Sequence, residues 1–297
     1  MNNIDKKIAV LKKEKKLGLM THAVVGYPNM GKSIEIIKIL AQYSDFLELQ
    51  IPFSDPVADG ETIMEASEAA LKNGMNTDKA FEIIRNLNLR VLPFGSPMST
   101  HKGTPAMGLP ASRHPLVRLR TDKLTPVLVM CYYNQVFRYG MDRFCKKARE
   151  SGVSGLIVPD IPPEEEKKER FIEACLRYDL YPIRVISPAS GEERLRINAK
   201  YAKGFVYSVS HFGVTGTKSE LDKDLQIYLR RVKKYFNIPI ALGFGISSPD
   251  QIQKIKGMVD IAIVGSAIIN TYNRDGLKGV DTLVKSLKNC TIQKENI

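Results

Sequence analysis

The sequence predicts a closed barrel of eight parallel β-strands, each followed by helix, the (β/α)8 or TIM-barrel class. Two observations predict it. Eight short apolar segments recur along the 297 residues, and amphipathic helical patterns such as Leu221, Leu225, Tyr228, Val232 and Tyr235 separate them. Glycine-containing loops follow the last three segments, where such barrels build their active face. Strands separated by helices pair in parallel through right-handed crossovers. A doubly wound sheet competes, but no GxGxxG follows any strand. The expected arrangement is one domain over residues 1–297.

Ile4, Ile8 and Leu11 fall at helical spacing among Lys6, Lys7, Lys12, Lys13, Lys15 and Lys16, which predicts an N-terminal helix covering part of the fold. The same stretch lacks the apolar run of a signal peptide. Strands are expected near 18–25, 46–51, 125–131, 154–159, 182–187, 204–209, 238–242 and 259–264. No run reaches the roughly 18 apolar residues of a membrane span.

The second strand carries a carboxylate, Glu48, inside an apolar run, and the loop after it returns Asp59 eleven residues later. Desolvating an unpaired carboxylate costs several kcal/mol, so a fold keeps one there when proton transfer needs it. The plain alternative is an edge strand with Phe46, Glu48 and Gln50 in solvent and Leu47, Leu49 and Ile51 packed inward. The proline-stiffened loop Pro52–Gly60 weighs against it, being shaped rather than a generic turn.

Residues 92–121 carry Pro93, Pro97, Pro105, Pro110 and Pro115 and no helical or strand period. Lys102, Arg113, Arg118 and Arg120 face no acidic residue there, so the segment supplies +4 of the net +12. It falls between a helix ending near Leu87 and the third strand, hence on the bottom face, and reads as an irregular insertion. Glycine loops then follow strands six (Phe212–Lys218), seven (Gly243–Ser247) and eight (Val264–Ile268). Backbone N–H groups beside glycines, with a helix N-terminus, make phosphate binding the expected use.

Cys131, Cys145, Cys175 and Cys290 are scattered, with no CxxC pair and no histidine at ligand spacing, so no metal or disulfide framework is expected and a reduced cytoplasmic setting fits. The positive charge is spread along helices among acidic residues, as in Glu165–Arg170, and no nucleic-acid motif accompanies it. An anionic substrate or an acidic partner explains it as well.

Taken together these segments resemble the α subunit of tryptophan synthase over about residues 15–290, apart from 92–121. The most specific match is Leu47-Glu48-Leu49-Gln50-Ile51-Pro52-Phe53-Ser54-Asp55-Pro56-Val57-Ala58-Asp59-Gly60. Gly26-Tyr27-Pro28, Met130-Cys131-Tyr132-Tyr133-Asn134, Val158–Pro162, Gly213–Gly216, Gly243–Ser247 and Gly265-Ser266 support it. The resemblance implies a cytoplasmic lyase of tryptophan biosynthesis that splits indole-3-glycerol phosphate into indole and glyceraldehyde 3-phosphate. It implies Glu48 as general acid/base and Asp59 as partner of the indole N–H. Gly213, Gly216, Gly243, Gly245, Gly265 and Ser266 would bind the phosphate, with Tyr207, Thr215 and Tyr132 in the pocket or its loop. Pro52, Asp55 and Asp160 would face a β subunit in an α2β2 assembly. The cofactor, pyridoxal phosphate, would belong to that partner and none to this chain; neither nucleic acid nor membrane is implied.

The chain departs from the family pattern at Gln50, usually Gly, at Glu61, usually Pro, and at His211, often Arg. Two further readings compete: a lyase that works without a partner, and a non-catalytic chain that only activates the β subunit.

Overall fold

A computed structural model describes residues 1–87, 125–209, 218–243 and 245–292. Eight parallel strands close in sequence order, β1 pairing with both β2 and β8. They are β1 (Gly18–Val24), β2 (Phe46–Gln50), β3 (Val127–Met130), β4 (Val153–Ile157), β5 (Tyr181–Ile186), β6 (Val206–Val209), β7 (Ile240–Gly243) and β8 (Ile261–Val264). Every expected strand is present, with ends displaced by a residue or two. The expected segment 92–121 lies outside the described residues.

The helices do not follow one per strand. Helix α1 (Asn3–Lys13) precedes β1, and α2 (Met30–Tyr43) follows it. Two helices, α3 (Glu61–Lys72) and α4 (Thr77–Asn86), follow β2, and two more, α5 (Tyr133–Tyr139) and α6 (Met141–Glu150), follow β3. After β4 come a 3₁₀ turn at Pro163–Glu165 and the short α7 (Glu166–Glu169) and α8 (Phe171–Arg177). The remainder are α9 (Glu192–Tyr201), α10 (Lys218–Tyr235), α11 (Pro249–Ile255) and α12 (Ser266–Thr291), the last kinked at Gly276.

Strand alternation builds two cores. Side chains facing outward, among them Leu47, Leu49, Val129 and Leu242, pack with the helices. Those facing inward, among them Met20, Phe46, Leu128, Phe205 and Ile261, fill the barrel. The Phe46 and Phe205 rings meet edge to face at 5.8 Å, the arrangement that aromatic quadrupoles favour.

Helix α1 closes the bottom. Asn2 caps it by accepting the Ile4 N–H at 3.0 Å, and its amide donates to the carbonyls of Ser154 (3.0 Å) and Asp179 (2.9 Å). This anchors Ile4, fully buried, inside the barrel. Glycine makes the room: a Cβ at Gly155 would lie 3.1 Å from Ile4 and one at Gly204 2.9 Å from it, Gly204 also having φ +69°. Burying such a side chain contributes about 1.5–3 kcal/mol. With the bottom plugged, the cavity left open is at the strands' C-terminal ends.

Candidate active site

All five residues of β2 are buried, which excludes the solvent-edge reading of Glu48. Phe46 and Glu48 point into the barrel while Leu47 and Leu49 pack outward. The strand has no solvent face because the sheet closes on itself. Glu48 is 2% exposed and has two neighbours. His22, its register partner on β1, places Nδ1 3.3 Å from one carboxylate oxygen. The Tyr207 hydroxyl, from β6, donates to the other at 3.4 Å. Burial, the Glu48 charge and this hydrogen bond all push the Tyr207 phenol well above its ordinary range.

The loop after β2 brings Asp59 back over the same cavity. Gln50 donates to the Asp59 carboxylate at 2.6 Å, and the Asp59 N–H closes a turn onto the Pro56 carbonyl. The Tyr132 hydroxyl accepts the Ala58 N–H at 3.0 Å, and its ring stacks on Phe53 at 5.2 Å. Gln135 ties the loop's base by donating to the Pro52 carbonyl. Burial raises the Asp59 pKa; the Gln50 hydrogen bond, the His22 charge and the Tyr132 hydroxyl oppose that without cancelling it.

Glu48, Asp59 and Tyr207 line one cavity of about 570 Å³ together with Gly243, Gly245, Gly265 and Ser266. Gly245 has φ +60°, and Ser266 opens α12, so a positive-φ glycine and a helix N-terminus border the space. Gly213, Thr215, Gly216 and His211 lie outside the described residues. Tyr132 stands behind Asp59 rather than in the cavity wall.

Of the three expected interface residues, Asp55 and Asp160 are exposed, whereas Pro52 is buried with its carbonyl taken by Gln135, so its ring presents no surface to a partner. Asp55 accepts from Ser54. Asp160 accepts the Tyr133 N–H through both oxygens, at 2.9 and 3.0 Å; burial raises its pKa against that hydrogen bond. Val57 and Phe137, 82% and 64% exposed, add apolar surface nearby.

Two site residues escaped the sequence reading. His22 stands in an apolar strand as Glu48 does, and the same signal, a polar side chain at inward parity, marks it. Gln50 shows only as an unusual residue, and its hydrogen bond to Asp59 depends on how the loop returns.

Two carboxylates share a pocket with glycine-bearing segments at the C-terminal end of a closed (β/α)8 barrel, the end at which enzymes of this fold carry out their chemistry. The model of the tryptophan synthase alpha chain family matches residues 8–94 and 114–296. The chain belongs to that family. A tryptophan synthase alpha chain from Thermoanaerobacter sp. (strain X514) is 36% identical over 294 residues, covering 97% of this chain and 99% of that protein. One from Caldicellulosiruptor saccharolyticus is 36% identical over 288 residues, covering 97% and 98%. Among solved structures, the α subunit from Legionella pneumophila superposes with a TM-score of 0.80 at 28% identity, covering 98% of each chain. Tryptophan synthase from Mycobacterium tuberculosis gives 0.80 at 26% identity, covering 99% of each.

Proposed function

We propose that Glu48 moves the protons and Asp59 steadies the indole nitrogen in the carbon–carbon lyase reaction of the tryptophan synthase α chain. That reaction cleaves indole-3-glycerol phosphate to indole and glyceraldehyde 3-phosphate, for tryptophan synthesis. The observation that carries the reading is that a buried carboxylate on β2 and a half-buried one on the following loop share a single cavity with the glycine segments after β7 and β8.

The chemistry follows from these positions. Glu48 in its acid form delivers its proton to indole C3, where the electron pair of the C2–C3 double bond receives it. Positive charge appears at the ring nitrogen, and Asp59, accepting the N–H, stabilises it. The Glu48 carboxylate then takes the proton of the hydroxyl on the adjoining carbon. The O–H pair becomes the carbonyl bond of glyceraldehyde 3-phosphate. The broken carbon–carbon pair returns to the ring and restores neutral indole. Glu48 ends protonated, as it began.

Gly243, Gly245, Gly265 and Ser266, with Gly213 and Gly216, hold the phosphate through N–H groups and one hydroxyl. Thr215 helps hold the substrate against Asp59. No cofactor is needed for these steps in this chain. Indole passes to a pyridoxal-phosphate β subunit docked on Asp55 and Asp160, in an α2β2 enzyme of the cytoplasm. Val57 and Phe137 suit that role, since interfaces bury apolar anchors inside a polar rim.

Indole release by purified protein tests the assignment. Glu48→Gln and Asp59→Asn are each expected to lose about 10²–10⁴-fold in kcat. Rates equal to the parent's in both variants would overturn it.

A further inference from the structure

Glu48 does not stand alone, and its neighbour is ionisable. His22 is 4% exposed, sits level with Glu48 across the β1–β2 pairing and lines the same cavity. Its Nδ1 lies 3.3 Å from the carboxylate, while its buried Nε2 has no hydrogen-bond partner among the described residues. Gly265 packs beside it, and a Cβ there would stand in ordinary contact with the histidine Cβ at 3.6 Å. A buried imidazole with one nitrogen on a catalytic carboxylate and the other orphaned is costly as packing alone.

We propose that His22 is the positioning residue of Glu48, holding the carboxylate by an Nδ1–H hydrogen bond and sharing one proton with it. The proposal rests on the lyase reading of Glu48. With one proton in the pair, transfer is a single exchange: the Nδ1–H bond breaks as the Oε1–H bond forms, and the acid that protonates indole C3 is ready. When the hydroxyl proton arrives on Glu48, the reverse transfer restores the imidazolium.

The surrounding charges favour this. Burial alone would lower the His22 pKa, but the Glu48 charge, the hydrogen bond to it and the Asp59 charge outweigh burial and leave it above the ordinary 6.5. Among the described residues, the other titratable groups lining the cavity are the Tyr207 phenol from β6 and Glu61, exposed on the rim at the start of α3. Tyr27 and Tyr272 border a small space that His22 also borders. No second cation among the described residues lines the cavity, so nothing there competes with His22 for the carboxylates. Raising pH through the His22 pKa removes the shared proton, so activity carries an alkaline limb set by this residue.

Two measurements test it. The first is the pH profile of kcat/KM for the parent, His22→Asn and His22→Phe. Asparagine keeps a donor but no titrating proton; phenylalanine keeps neither. The parent is expected to lose activity on the alkaline side with a midpoint above 6.5, and His22→Asn to lose that limb or move it by about one pH unit or more. His22→Phe is expected to lower kcat by about tenfold or more, with His22→Asn in between. An unchanged alkaline limb in both variants overturns the proposal. The second follows His22 by NMR, its resonance assigned by its absence in His22→Asn. It is expected to titrate above 6.5 in the parent and below it in Glu48→Gln, where burial is no longer offset by the carboxylate charge. An equal midpoint in both overturns the pairing. Full indole release by Glu48→Gln would instead sink the lyase role of Glu48, while the NMR comparison still decides whether the pair exists.

Discussion

Asp59, proposed above as the partner of the indole nitrogen, loads the fold that holds it. Its pKa is raised by burial, so the folded chain binds a proton more readily than the unfolded one. A group shifted this way contributes stability below its unfolded pKa and loses that contribution as pH rises through the folded value. At neutral pH the ionised Asp59 therefore costs stability. Asp59→Asn should raise Tm at pH 7–8 by on the order of 2 °C while cutting kcat by about 10²–10⁴-fold, and the gain should vanish near pH 3, below the unfolded carboxyl value. Calorimetry across that range checks the sign. Gln50 restrains the same carboxylate at 2.6 Å. Gln50→Ala should lower kcat/KM for indole release by about tenfold, because an aspartate free to rotate is seldom aimed at the indole nitrogen. Glu48 and Asp59 were legible because a carboxylate in an apolar strand and an acidic, proline-bound loop are anomalies in one dimension. His22 and Gln50 were not singled out, since their meaning depends on which residues stand beside them after closure.

At the scale of elements, strands were legible and helices only partly so. Fully buried parallel strands leave continuous apolar runs, and each was found within a residue or two. The region after β4 was harder. Pro162 and Pro163 start a 3₁₀ turn, and Arg170 takes the left-handed conformation at φ +53°, splitting α7 from α8. Nothing in an arginine announces that turn, because glycine is the usual occupant. Helix α1 was read from its period alone, though its role as a plug appears only with Gly155 and Gly204 facing Ile4. Ile4→Ala should destabilise by about 2–5 kcal/mol, as a large-to-small core change does. Turnover per folded molecule should stay unchanged. Denaturant unfolding beside an indole assay checks both halves.

For the whole molecule, chemistry and construction occupy opposite ends of the barrel. The described residues leave α4 and enter β3 at the bottom, and the family match skips residues 95–113 between them. Deleting that skipped stretch should leave kcat/KM for indole release within about twofold, since the elements it joins meet at the end opposite the cavity and a change in connection length costs little beyond closure entropy. Adding a β subunit should raise indole formation above that of the chain alone; equal rates would favour a self-sufficient lyase. Closure by α1 also bears on synthesis. Helix α1 leaves the ribosome before the elements that seat it, β4 and the turn before β6, and β1 waits for β8. That helix is thus made well before it can dock. Ile4 and its lysine-rich helix stay without their partners for most of translation, and a nascent chain cut before Gly204 has no completed seat for its own beginning.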